Sequence, residues 1–428
     1  MKTDSPDLYD FLAIGGGAAG FFGAITYAES APGSRVAILE KTDVVLGKVK
    51  ISGGGRCNVT HACYDPRELT PNYPRGERSL IGPFYTWSVG ETIDWFEFRG
   101  VTLKVESDGR MFPTTDDSQT IINCLEDAAN DACVMVEYRC DVESLVREDD
   151  HWVLKMKRGG EFRSRAVLLA TGGIRNGAGT VLAGELGHTL IPAAPSLFTF
   201  KVQDPRIEEL SGISVPEVTA EIPALKMKTS GPCLITHWGL SGPAILKLSA
   251  KAARELAEMD YRFDVKINWC AGSNEAQLDV ILASVRESSP KKMVRSGAEG
   301  LSIPARLWQR LVEAAEIDEE TTWSNLSKKE RHRLVQQLTA CKFSVDGKSM
   351  NKDEFVTAGG VSRNEVDFKT MESRIVPGLF FAGEVLDVDG VTGGFNFQAA
   401  WTTGRIAGAA AAGAAAAGAA AADAASEV

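Results

Sequence analysis

The sequence predicts an α/β protein: one parallel-sheet, nucleotide-binding domain interrupted by an insertion that is first β-rich and then helical. Three observations predict it. The chain opens with an apolar strand, a glycine turn, a helix and a second strand. Buried-strand character returns at residues 166–170 and again, far downstream, at 378–382. Between these two, short β-like runs broken by Pro and Gly give way to helical periodicity.

The elements follow in order. Residues 11–14 are an unbroken apolar run, as a strand buried on both faces requires. The turn Gly15-Gly16-Gly17-Ala18-Ala19-Gly20 leads into a helix over 21–30, which Pro32 and Gly33 stop. Residues 35–39 form the second strand and close on Glu40, completing a βαβ start. A glycine-rich loop is expected over 47–58, helices over 90–99 and 118–131, and strands over 134–138, 141–147 and 152–157. The buried strand 166–170 runs into Thr171-Gly172-Gly173. Strand-like runs recur at 197–202, 215–222 and 261–267, and 274–340 is helical, with Ser327 and Glu330 spaced as a capping box. The predicted division is a discontinuous domain of 1–190 plus 344–428, a β-rich, barrel-like insertion at 191–270, and a helical subdomain at 271–343. From Ile406 the chain is almost all Ala, interrupted by Gly408, Gly413 and Gly418. Ala gains little in hydrocarbon, so the 406–428 tail reads as a helix that begins in the fold and frays into a low-complexity end, not as a membrane span.

Composition excludes several function classes. In 428 residues, 44% are hydrophobic and 24% charged, which argues for two or three ordinary domains and against disorder. A net charge of −11 disfavours DNA or RNA as the main partner. Eight Cys without a CxxC pair suggest neither a disulfide framework nor a metal site. With a polar, acidic first ten residues, they read as reduced thiols of a cytoplasmic protein. Three other motifs fail on spacing. Asp387-x-Asp389-Gly390 has its Gly too early for a calcium loop. Pro243 replaces the last Gly of a nucleophile elbow after Gly239-Leu240-Ser241-Gly242. Lys342 stands where a P-loop ending in Gly347-Lys348-Ser349 needs Gly.

The productive motif is Gly15-x-Gly17-x-x-Gly20. The first Gly makes the turn, the second admits a pyrophosphate, and the third lets helix and strand approach; the helix N-terminus, at Ala18 and Ala19, faces the anion. Glu40, at the end of the next strand, can accept hydrogen bonds from ribose hydroxyls. The alternative is a Gly-rich turn that only packs. Later turns, at Thr171-Gly172 and Gly383-Glu384, leave the same sheet edge, and no second GxGxxG exists. A ligand reaching all of them must be long, which suits FAD better than NAD. Gly53-Gly54-Gly55 lets backbone run against a ring or phosphate. Arg56 can neutralise phosphate and Asn58 can hydrogen-bond ring or ribityl. The alternative there is a surface loop. Residues 387–398 form a glycine turn ahead of a helix, whose free N–H groups can stabilise a reduced flavin. His237, between Thr236 and Trp238, is the one candidate proton relay, against the plainer role of holding its turn. Cys57 lacks a close partner for redox work.

These residues resemble the bacterial FAD-binding flavoproteins that include aminoacetone oxidase and a bile-acid 4,6-reductase. The matching stretches are ISGGGRCNVT from Ile51, THWGLSGP from Thr236, TAGGV from Thr357, TMES from Thr370, PGLFFAGE from Pro377 and LDVDGVTGGFNFQA from Leu386. The resemblance implies a glutathione-reductase-type Rossmann-like FAD domain interrupted by a β-barrel and a helical domain. It implies FAD contacts at the first glycine turn, Glu40, Lys41, Arg56, Cys57, Asn58, Glu384, Asn396 and Phe397, with Gly394 beside them and Val142 opposite adenine. One stretch, residues 174–180, departs from the family's Gly-Ser-Thr-Gly-Asp-Gly, so no substrate is carried over. The expected activity is an FAD-dependent oxidoreductase moving hydride between flavin N5 and a small organic substrate, with NADH, NADPH or oxygen as the other partner. A flavin-dependent RNA-modifying enzyme and a flavin-binding module without turnover are the rival classes.

Overall fold

The computed structural model describes residues 8–173, 178–349 and 356–426, the last eight of these as backbone only. Residues 174–177 of the departing stretch lie outside the described residues. Two compact units divide at 194/195 and 355/356.

In the first unit, β1 (Leu8–Ile14) pairs in parallel with β2 (Val36–Leu39) on one side and with Glu161–Leu169 on the other. All of β2 and the last four residues of β1 are buried, which is why both read as unbroken apolar runs. The sheet order is Val366–Asp367, Glu372–Ser373, Leu379–Phe381, Glu161–Leu169, β1, β2, Met135–Glu137. The five strands from Leu379–Phe381 to Met135–Glu137 are parallel. Register places Ile14 opposite both Leu39 and Leu169, and Leu169 opposite Phe381, so four strands end in line. Val142–Glu148 and His151–Met156 form an antiparallel meander that joins the first half of Glu161–Leu169.

Helix α1 (Ala18–Ser30) is buried at every residue from Ala19 to Ala28 because it lies between the sheet and the C-terminal helix Phe395–Ser426. Glycines set that approach. A Cβ on Gly23 would stand 2.4 Å from Leu168 Cδ2, one on Gly404 2.5 Å from the Ala19 carbonyl oxygen, and one on Gly408 2.2 Å from that of Gly23. The Ala-rich stretch therefore begins inside the core: Ile406, Ala407, Ala411 and Ala412 are buried, Ala409 is exposed, and every residue from Gly413 to Gly418 is exposed. Among the described residues, no helix is long and apolar enough to cross a membrane.

The expected loop at 47–58 is instead a short helix, α2 (Gly47–Gly55), broken at Ser52 to Gly54, where Gly53 and Gly54 take left-handed φ of 57° and 71°. The glycines thus interrupt a helix rather than form a free loop.

The second unit holds an antiparallel path of seven strands: Cys341–Asp346, Arg262–Asn268, Ser214–Ile222, Met227–Thr236, Gly239–Ser241, Thr199–Lys201 and Lys348–Ser349. Helices Glu275–Ser288, Ala305–Ala314 and Lys328–Thr339 interrupt the chain between two strands that pair with each other, Arg262–Asn268 and Cys341–Asp346. The return strand therefore belongs to the insertion, and the first unit resumes at 356, later than the expected 344. Sheet and helices share one core, from Phe198 and Ile267 to Trp308, Trp323 and Leu338. The β-rich and helical parts are therefore not separate bodies. The capping box forms as expected: Ser327 Oγ accepts from the Glu330 N–H at 3.2 Å and Glu330 Oε2 from the Ser327 N–H at 2.9 Å.

Gly408→Ala should destabilise the chain by about 1–3 kcal/mol through overpacking. Gly413→Ala, with nothing within 4 Å of its Cβ, should stabilise the helix by about 0.5–1 kcal/mol. Thermal unfolding of the two variants, followed by circular dichroism, checks the opposite signs.

Candidate functional site

The turns that follow the four aligned strand ends define the site. Gly15 has φ of 114°, and its Cβ would lie 2.5 Å from the Ala170 carbonyl oxygen; a Cβ on Gly20 would lie 2.0 Å from that of Gly15. The protein itself demands both glycines. Gly17 differs. Its φ of −98° is ordinary and nothing lies within 4 Å of its Cβ. It is the N-cap of α1, and no side chain caps that helix. An uncapped helix N-terminus opening on free space is an anion cradle that a side chain at Gly17 would fill. FAD's pyrophosphate fits that cradle.

Glu40 is fixed from both oxygens. Oε2 accepts from the Gly16 N–H at 2.9 Å; Oε1 accepts from the Thr42 N–H and Oγ1, each at 2.9 Å. The carboxylate ties β2 to the glycine turn and retains lone pairs for hydroxyl donors. A solvent-open cleft brings together Gly15, Glu40, Lys41, Val142 and Thr171, five residues expected from sequence. Ala178 and Leu182, which sequence reasoning missed, also line it. They carry no polar motif, only small and apolar character.

On the neighbouring strand end, Gly172 and Gly383 take φ of 75° and 72°. A Cβ on Gly383 would stand 3.0 Å from Ala19 Cβ, beside the first turn of α1. Glu384 is ion-paired with Lys48 of α2. A Cβ on Gly173 would be 2.9 Å from Thr357 Oγ1 and 3.4 Å from Glu384 Oε2.

The SGGGRCN stretch meets the C-terminal glycine turn. Gly54 and Gly55 have φ of 71° and 85°, and both face open space. Asn58 lies against Gly394, whose Cβ would be 2.9 Å from Asn58 Oδ1. With its amide oriented to suit its neighbours, Asn58 accepts from the Gly394 N–H at 2.9 Å and donates to the Thr60 carbonyl at 3.0 Å.

Two expected contact residues have partners within the protein. Arg56 is matched by carboxylates: Nη1 reaches Glu106 at 2.6 Å and Asp116 at 3.4 Å, and the guanidinium stacks on Phe112 at 3.9 Å. The Asn396 side chain is used within its own turn, accepting from the Gly390 N–H at 2.8 Å and donating to the Gly390 carbonyl at 3.0 Å. Its backbone N–H and that of Phe397 remain in the open first turn of the helix. Phe397 stacks on Trp401 at 5.5 Å. Cys57 is fully buried at φ 62°, and burial pushes its thiol up to about 12. It is therefore a packed thiol at neutral pH, not a redox group.

Several supports went unread in the sequence. Arg75 and Asp389 form a buried bidentate ion pair that holds the 387–394 turn, with Nε to Oδ1 at 2.5 Å. The Tyr73 hydroxyl donates to the Phe395 carbonyl at 2.6 Å. The His61 ring stacks on Phe395 at 4.6 Å, and its Nδ1 lies 3.0 Å from the Gly393 carbonyl oxygen. Each pairs residues more than 300 positions apart, so no local pattern announces them. His237 is exposed in the second unit, in the hairpin between Met227–Thr236 and Gly239–Ser241. There Thr236 Oγ1, not the imidazole, holds the turn, accepting from the Trp238 N–H at 3.2 Å and donating to the Gly239 carbonyl at 3.2 Å. Among the described residues, no acidic, His or Cys group forms a metal cluster.

Residues 9–410 match the family described as the HI0933-like protein Rossmann domain. The chain is 30% identical over 406 residues to the ribosomal RNA dihydrouridine synthase of Escherichia coli (strain K12), covering 92% of this chain and 96% of that protein. It is 29% identical over 406 residues to the 3-dehydro-bile acid delta(4,6)-reductase of Clostridium scindens, covering 93% and 98%. Among solved structures, 3-ketosteroid delta1-dehydrogenase from Sterolibacterium denitrificans shares the fold, with a TM-score of 0.51 at 12% identity over 95% of this chain and 100% of that one.

Gly17→Val should fold normally and purify without flavin, whereas Glu40→Ala should weaken FAD by about 1–3 kcal/mol. Absorbance at the flavin band, beside circular dichroism, reads both. Because the Cys57 thiol is held near 12, alkylation at pH 8 should label it only after unfolding, as peptide mass mapping would show.

Proposed function

The chain belongs to the HI0933-like Rossmann family of FAD-binding proteins, and from that premise we propose that it is a reductase delivering hydride from reduced FAD to an activated carbon–carbon double bond of an organic substrate. It is an FAD-dependent oxidoreductase. The observation that carries the cofactor is the open space at Gly17, where a glycine is needed for nothing within the protein. The two relatives share a chemistry in their names. Dihydrouridine is uridine with a ring double bond reduced, and a delta-reductase removes a double bond.

FAD, when bound, supplies hydride exchange at its ring. The chain's residues bind and orient it. Gly15, Gly17 and the first turn of α1 would take the pyrophosphate, and Glu40 the adenosine ribose. Val142, Lys41 and Thr171 would hold the adenine part. Gly54, Gly55 and Asn58 would hold the flavin part, and the N–H groups of Phe395 to Phe397 would stabilise its reduced form. NADH or NADPH is the proposed reductant. In the insertion, the two ends of the seven-strand path are separated by Gly347 alone, which supports closure of that sheet as a barrel.

The name of the Escherichia coli relative favours a second reading, reduction of a uridine in RNA. The overall charge of −11 opposes it, although residues 195–355 carry equal numbers of basic and acidic groups.

Anaerobic mixing of the flavin-loaded protein with NADH or NADPH should bleach the flavin, and an enone should restore its colour. Restoration by uridine-containing RNA alone, with binding that falls steeply with salt, would establish the RNA reading instead. Bleaching by neither nucleotide would remove the proposed reductant.

A further inference from the structure

We propose that Lys48 is a positioning residue for the cofactor: its ammonium holds and balances the Glu384 carboxylate beside the dinucleotide phosphates. This rests on the FAD reading above. The sequence points to Arg56 as the cation of the site, but Glu106 and Asp116 occupy that guanidinium. Lys48 stands elsewhere. Its helix is hung from the glycine turn, because the Leu46 N–H at the N-cap donates to the Gly16 carbonyl at 2.8 Å. Glu384, its ion-pair partner, follows Gly383, which abuts Ala19 in the first turn of α1. Gly173, on the third turn, faces the same carboxylate. The pair thus stands among three turns leaving one sheet edge.

Charge explains why a cation is needed there. Glu40 and Glu384 both lie at this edge, and a pyrophosphate adds further negative charge. An unbalanced carboxylate would repel it. Glu384 is only 15% exposed, so water and salt screen it poorly, while Lys48, at 53%, reaches in from solvent. Lys48 therefore does two things: it fixes the Glu384 carboxylate in place and cancels its charge.

The test is FAD affinity, read by quenching of flavin fluorescence on titration into apoprotein whose fold is verified by circular dichroism. Lys48→Ala should weaken FAD by roughly tenfold to a hundredfold. Lys48→Arg should stay within about threefold of the wild type, since the charge is kept. Lys50→Ala, the same charge loss on an exposed neighbour, should change little. In a Glu384→Gln background, Lys48→Ala should cost far less than in the wild type, because the charge it balances is gone. Wild-type affinity in Lys48→Ala overturns the proposal, as does strict additivity of the two substitutions. A wild-type chain that takes up no FAD sinks the cofactor reading and this assignment with it.

Discussion

The in-line ending of four parallel strands governs this protein. Ile14, Leu39, Leu169 and Phe381 share a level because β1 and Glu161–Leu169 are each hydrogen-bonded in parallel on both sides. Parallel pairing carries every chain out at the same edge, so the turns after these strands have nowhere else to gather. The ladder even runs a residue further: the Ala170 N–H donates to the Ile14 carbonyl at 2.9 Å and the Ala382 N–H to that of Leu169 at 3.1 Å. A one-residue slip in any pairing would exchange the buried side chains between the two covered faces of the sheet.

Around that edge the glycines sort by cause. Gly15, Gly20, Gly383 and Gly394 are required by backbone or side chains already in place. Gly17, Gly54 and Gly55 meet no protein atom within 4 Å. For Gly54 and Gly55 a left-handed φ is reason enough. Gly17 has no such reason, and the cradle it leaves open is therefore shaped for something the chain does not supply.

Rigidity comes from behind the site. α1 is clamped between sheet and C-terminal helix at glycine-permitted distances, so its N-terminus cannot drift from the sheet edge. The buried Arg75–Asp389 pair and the Tyr73 hydroxyl anchor the turn that starts the C-terminal helix. Gln398, fully buried, donates to Ser88, Thr92 and Thr402 and accepts from Thr60, joining that helix to two other segments. A satisfied buried network of this kind specifies one arrangement.

The βαβ start, the buried strands, the capping box and the glycine fingerprint were legible because each depends on residues within a few positions of one another. Periodicity, turn chemistry and composition act over that range. Tertiary structure alone decided the rest. Only it turned Arg56 toward Glu106, paired Lys48 with Glu384, and returned Cys341–Asp346 to the insertion. These outcomes depend on which groups distant in the chain arrive within a few ångströms, and short-range pattern carries no record of that.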